Sequence, residues 1–279
     1  MKNNELFEYV ISTEELAISL ALVNRPDLAK ATLFEVFGEL PNNVLEERLK
    51  SSSHSILARG LATIDNNGMP HLSEKFQQAL APLFLFEGML QMVINRNTPQ
   101  IINIHLGKEH QFTAHWVEQG VIHHLVFGDL VSILDWITEQ SSLPEHLSEE
   151  LYLLSEKIKG KIPMEIFADL PDKEFSDGVF VLTQYGLDPE LAKILLKDIR
   201  QPEFRGSVSY LPFHSDQKFE SENYFQPVAG VFFLKGKSSW ILTFPKEEKK
   251  QNGTLLPGTK NEMRVNIQEL LLKKDLAFS

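Results

Sequence analysis

The feature that most constrains this chain is a change of hydrophobic period at Met89. Before it, apolar residues recur at helical spacing; after it, they alternate. Ile102, Ile104 and Leu106 share one face, and Phe112, Ala114 and Trp116 share another. Short turns at Asn97-Thr98-Pro99, Gly107 to His110 and Glu118-Gln119-Gly120 separate the alternating runs 89–95, 101–106, 112–116 and 121–127. Strands joined by turns this short pair as an antiparallel meander. A second alternating region follows: a strand at Phe204–Leu211, then Gln226–Leu234, a turn at Lys235-Gly236-Lys237, and Ser238–Phe244.

Helical patterns flank both regions. Residues 5–11 read as a short strand, and Ser12 with Glu15 has capping-box spacing. Leu16, Leu20 and Val23 mark an inner face; Pro26 opens a second helix that Gly38 ends. Residues 42–61 and 73–85 are predicted helices on either side of the Asp65–Gly68 turn, and Asp129 caps a helix bearing Leu130, Ile133, Leu134 and Ile137. Residues 147–159 are predicted helical and 163–178 irregular. Asp188-Pro189 starts a helix with Leu191, Ile194, Leu195 and Ile199 inward, and 264–274 forms the last one. Residues 213–224 read as a long exposed loop, and Lys246–Lys260 as a mobile one. The expected fold is therefore α+β: a pseudo-symmetric pair of halves, 1–145 and 146–279, each with antiparallel strands flanked by helices. The two halves are free to share one sheet.

Composition excludes several function classes. The 279 residues carry a net charge of −11. All of it falls in residues 1–150, with 9 Lys/Arg against 20 Asp/Glu. An acidic balance argues against a general phosphate-backbone binder. It is the charge of a solvated surface, or of a face that steers a basic partner. With no cysteine, disulfides and thiolate chemistry are excluded. No run approaches the roughly 20 apolar residues of a membrane span, and Glu5, Glu8, Glu14 and Glu15 interrupt any leader-like start. The expectation is a cytoplasmic protein with no membrane insertion.

No catalytic pattern emerges. His105, His110, His115, His123 and His124 are the one histidine cluster. Their spacing along turns and strands gathers no three ring nitrogens at a point, so no metal site is expected. The carboxylate pairs Glu14-Glu15, Glu46-Glu47, Glu149-Glu150 and Glu247-Glu248 sit at helix starts or in charged loops. There is no Gly-x-Ser-x-Gly elbow and no phosphate-binding Gly-rich loop. The expectation is a non-enzyme without cofactors. The segment 48–85 has a helix–turn–helix rhythm, which leaves a DNA-binding or regulatory module as an alternative. Its second helix offers a groove only Lys75, Gln77 and Gln78. A hydrolase or metal protein using the histidines is the other alternative.

Aromatic residues are the remaining signal. Phe232 and Phe233 point to opposite faces of one strand, so that strand is either covered twice or presents one face to a partner. Trp240 is the expected core member. Phe233 and Ile241 on the opposite face, with Phe219 and Tyr224 on the loop before them, are the candidate partner contacts.

The ordered motifs resemble a known family. Leu57-Ala58-Arg59-Gly60-Leu61 precedes the Asp65–Gly68 turn and Leu72–Leu83; Phe112-Thr113-Ala114-His115 leads to Val121. Leu182-Thr183-Gln184-Tyr185-Gly186-Leu187 and then Gly206 follow. The most specific piece is the run from Gly236-Lys237-Ser238-Ser239-Trp240 to Phe244-Pro245. This order is similar to the EspG-like family of ESX (type VII) secretion-associated proteins. It departs at Tyr224-Phe225-Gln226-Pro227, where that family carries a Gly-Arg-Tyr element. The resemblance implies a cytosolic chaperone that binds a helical secretion substrate, either a toxin or a small helical-hairpin protein, with no cofactor and no nucleic acid.

Overall fold

The computed structural model describes residues 5–95, 98–154, 158, 161–212, 229–244 and 252–272. Twelve strands and ten α-helices occur among them. Ten of the strands form one antiparallel sheet. The chain folds as two compact units: residues up to 87 with 103–133, and residues 88–102 with 134 onward. This division differs from the expected break at 145/146. β4 (Gly88–Asn95) hydrogen-bonds along its whole length to β9 (Phe204–Pro212), so the start of the meander belongs with the second unit.

In the first unit, β1 (Phe7–Ser12) ends at Ser12, whose hydroxyl accepts the Glu15 N–H at 3.1 Å while the Glu15 carboxylate accepts the Ser12 N–H at 2.9 Å. That capping box starts α1 (Thr13–Leu22). α2 (Pro26–Phe37) opens on proline and ends at Gly38, whose φ of 65° favours glycine. α3 (Asn42–Ala58) leads into a two-stranded hairpin, β2 (Ala62–Ile64) with β3 (Pro70–Leu72), around Asp65–Gly68. α4 (Glu74–Leu80) follows. Segment 48–85 is thus helix, hairpin, helix rather than helix–turn–helix. Ile11, Leu16, Leu20, Leu33, Ile56, Phe76, Leu80 and Leu125 form the core. β7 (Ile122–Asp129) lies between β1 and β6 (Gln111–Glu118), and β5 (Pro99–Leu106) pairs with β6 from Asn103 onward. Asp129 caps α5 (Leu130–Gln140) by accepting the Ser132 N–H at 2.9 Å.

In the second unit the strands run in the order β4, β9, β10 (Ala229–Lys235), β11 (Ser239–Phe244), β12 (Asn252–Pro257) and β8 (Lys161–Pro163). The β10–β11 hairpin pairs Phe233 with Ile241 and Leu234 with Trp240 across the expected turn. One sheet face carries Leu234, Trp240, Leu242 and Leu255. These pack with Leu151 of α6 (Glu149–Leu154), Leu182 of α8 (Phe175–Gln184) and Leu191 and Leu195 of α9 (Pro189–Arg200). α10 (Lys260–Leu272) lies against β9, β10 and β11 and buries Met263 and Ile267.

Two expected irregular stretches are ordered. The region expected to be irregular at 163–178 contains α7 (Met164–Asp169) and the start of α8, and the second part of the expected mobile loop is β12. Gly206 explains how three strands crowd together. A Cβ there would lie 2.4 Å from the Phe233 ring and 2.5 Å from the Val93 carbonyl oxygen.

Candidate functional site

The hairpin expected to offer a partner surface is a core element. Phe233 and Ile241 are both 0% exposed, which corrects their reading as contacts at the surface. The Phe233 ring stacks on Phe204 and sits over Gly206, its register partner, on a strand that α10 covers from one side and the α8–α9 layer from the other. A strand apolar on both faces is here buried on both. Phe219 and Tyr224 lie outside the described residues.

The turn of this hairpin is fixed by a residue that the sequence reading did not single out. Asp198 of α9 is 3% exposed. It accepts hydrogen bonds from the Lys237 N–H at 2.9 Å, the Ser238 N–H at 3.2 Å and the Trp240 indole N–H at 2.8 Å. Burial raises its carboxyl above the usual range, against the pull of those three donors. Gly236 is required for the approach, since a Cβ there would stand 2.4 Å from the carboxylate. The Gly236 to Trp240 spacing is therefore the negative of one buried carboxylate. Side chains with this role structure a site rather than react in one.

The helices of the second unit leave other apolar groups in water. Tyr152 and Leu153 on α6 are 68% and 70% exposed, on the side of the helix opposite buried Leu151. Phe180 on α8 is 62% exposed and Met164 on α7 is 47% exposed. Exposed aromatics and large aliphatics are the raw material of a protein-binding surface.

In the first unit, three histidines that sequence spacing had set apart meet across strands. His115 Nε2 lies 2.9 Å from His123 Nδ1, and their rings stack with centroids 5.2 Å apart. His123 Nε2 is 3.2 Å from the Thr13 hydroxyl, which donates to the Val121 carbonyl. One set of tautomers satisfies this chain: His115 donates to His123, and His123 donates to Thr13. Both rings are then neutral. His105 lies 6.5 Å from the His115 ring, with its own Nδ1 buried and unpaired among the described residues. Burial pushes His105 down to about 4, and burial with repulsion from neighbouring histidines pushes His115 down to about 3. Rings stacked and bonded to one another do not converge on an ion. Among the described residues no group of three or more His, Cys, Asp or Glu side chains is placed to hold a metal.

Arg59, part of the 48–85 segment, is exposed, but its guanidinium is engaged. Its guanidinium donates to both Glu15 oxygens at 3.0 and 2.9 Å and to the Val10 carbonyl at 2.6 Å. Burial alone would raise Glu15, but the Ser55 hydroxyl, the Ser12 amide and Arg59 outweigh it and hold the carboxyl below its usual range. The one arginine next to the expected turn is thus part of the packing between α3, α1 and β1, not a free groove reader.

No helix among the described residues is long and apolar enough to cross a membrane. No protein-family model matches the chain, and comparison with curated proteins finds no match. Among solved structures, the chain is similar to the Mycobacterium tuberculosis type VII secretion system chaperone EspG5, determined in complex with a PE25–PPE41 dimer. The TM-score is 0.59 at 11% identity, and the likeness covers 95% of this chain and 96% of that one. Agreement over nearly the whole of both chains, at so low an identity, is agreement of fold, and the fold of this protein is EspG-like.

Proposed function

We propose that this protein is a non-enzymatic chaperone or adaptor that binds a helical secreted protein of a type VII (ESX-like) system in the cytoplasm and keeps it soluble for export. The observation that carries the reading is the extent of the likeness: it spans both chains almost end to end, and the neighbour is a secretion chaperone. The exposed apolar side chains Tyr152, Leu153 and Phe180 support it, since a client helix with an apolar end needs such a surface. Phe219 and Tyr224 belong to the same proposed contact set.

The test is co-expression with helical export substrates encoded beside it, followed by affinity capture. The expected result is a stable complex and a client that is soluble only in its presence. Changing Tyr152 and Leu153 together to Ser, or Phe219 and Tyr224 together to Ser, should weaken capture and leave melting unchanged. Clients that stay equally soluble without the protein, and are not captured by it, would refute the proposal.

A further inference from the structure

Between α7 and the sheet of the second unit lies an apolar cavity of about 220 Å³. Phe167, Phe232, Phe244, Leu234 and Ile199 line it, and Arg205 is the one charged side chain among the described lining residues. Arg205 is opposite Leu234 in the β9–β10 register, so its side chain leaves the sheet on the cavity side. Among the described residues it has no acidic partner. Phe167 and Phe232 already stand edge to face, with centroids 5.4 Å apart.

We propose that this cavity binds a small arylalkanoate: an aromatic ring on a short chain ending in a carboxylate. Size sets the apolar part. A protein cavity of about 150 Å³ holds benzene, so this one takes a ring and two or three further carbons. The walls set the ring, because phenyl groups offer edge-to-face partners that an alkyl chain does not use. Arg205 sets the head group, since a guanidinium at the rim pairs a carboxylate through two parallel N–H donors. The ligand's ring displaces water from apolar walls and its charge remains at the mouth, where no desolvation penalty opposes it. This proposal does not rest on client binding: a protein that fails to bind any secreted client still has the cavity and its arginine.

The probe is 3-phenylpropionate, with 3-phenylpropan-1-ol as its uncharged counterpart, followed by ligand-observed NMR on the full chain. The acid is expected to bind with a Kd on the order of 1 mM, the range for a ligand of this size. The alcohol should bind about tenfold more weakly, and Arg205→Gln should bring the acid down to the level of the alcohol. Ala168→Trp, at an exposed position of the cavity wall, should block both probes without lowering the melting temperature. Equal binding of acid and alcohol to the unaltered protein overturns the proposal, as does acid binding that survives Ala168→Trp or no binding of either probe.

Discussion

Acidification from pH 7 to pH 5 should strip stability from this protein through its buried histidine row. In the fold, burial holds His105 near about 4 and His115 near about 3, against an ordinary value of 6.5. Both are therefore neutral when folded throughout this window, while the unfolded chain takes up protons as pH drops through 6.5. The unfolded state binds more protons, so stability rises with pH and is lost on acidification. At pH 5 each ring costs about 2 kcal/mol relative to pH 7. The pair costs about 4 kcal/mol, a large part of a typical domain stability of about 5–15 kcal/mol. His123, also lowered by burial, adds in the same direction. Carboxylates held low in the fold, such as Glu15, lose their contribution only further down, so the window from pH 7 to 5 isolates the histidines. Asp198, which burial raises, has the opposite sign, and an Asp198→Asn background removes it. The assay is urea unfolding at pH 7, 6 and 5, with His115→Phe in parallel. Phe keeps the ring in the stack and cannot titrate, so about 2 kcal/mol of the drop should vanish. Equal stability of the unaltered protein at pH 7 and pH 5, or an undiminished drop in His115→Phe, would refute this account.

Other outcomes follow from the packing. Asp198→Ala should destabilise the second unit by about 3 kcal/mol, because it leaves two backbone N–H groups and the Trp240 indole N–H without their acceptor; urea unfolding followed by Trp fluorescence reads it. Gly236→Ala should cost about 2 kcal/mol alone and less in an Asp198→Ala background, where the colliding carboxylate is gone and only the Cβ of residue 198, at 2.9 Å, stays too close. Glu15→Gln should cost about 2 kcal/mol, since it removes the charge that Arg59 faces; a double-mutant cycle with Arg59→Gln isolates that coupling.

The elements legible from the sequence are those specified by neighbours along the chain. The capping box at Ser12, the proline at helix start 26, the Asp129 cap and the 235–237 turn all depend on residues within four positions of one another. What stayed hidden depends on register. His105, His115 and His123 meet because β5, β6 and β7 are staggered so that His105 faces Thr113 and His123 faces Val117, bringing the rings together diagonally. No spacing within one strand encodes that. Asp198 lies about forty residues from the turn it holds, so the Gly236 and Trp240 signal was visible while its cause was not. β8 and α7 were missed for another reason: three and six residues are too few to show a period. The burial of Phe233 and Ile241 depends on α10 returning to the sheet from the end of the chain, which an alternating pattern cannot report.

The close approach at Gly206 has a consequence for how distant kin of this chain can be found. Position 206 has no room for a side chain, because the Phe233 ring and the Val93 backbone carbonyl would lie 2.4 and 2.5 Å from its Cβ, and position 236 has none as long as a carboxylate stands at 198. The second is a paired exclusion and predicts covariation, a larger residue at 236 requiring a smaller one at 198, whereas the backbone contact at 206 demands glycine whatever stands at 233. At 11% identity to a structure of the same fold, overall similarity is a poor detector. Two glycines, each tied to a distant partner, give a fingerprint that can be sought in sequences where nearly every other position has drifted. A glycine-to-larger change at 206 marks a chain that does not share this sheet.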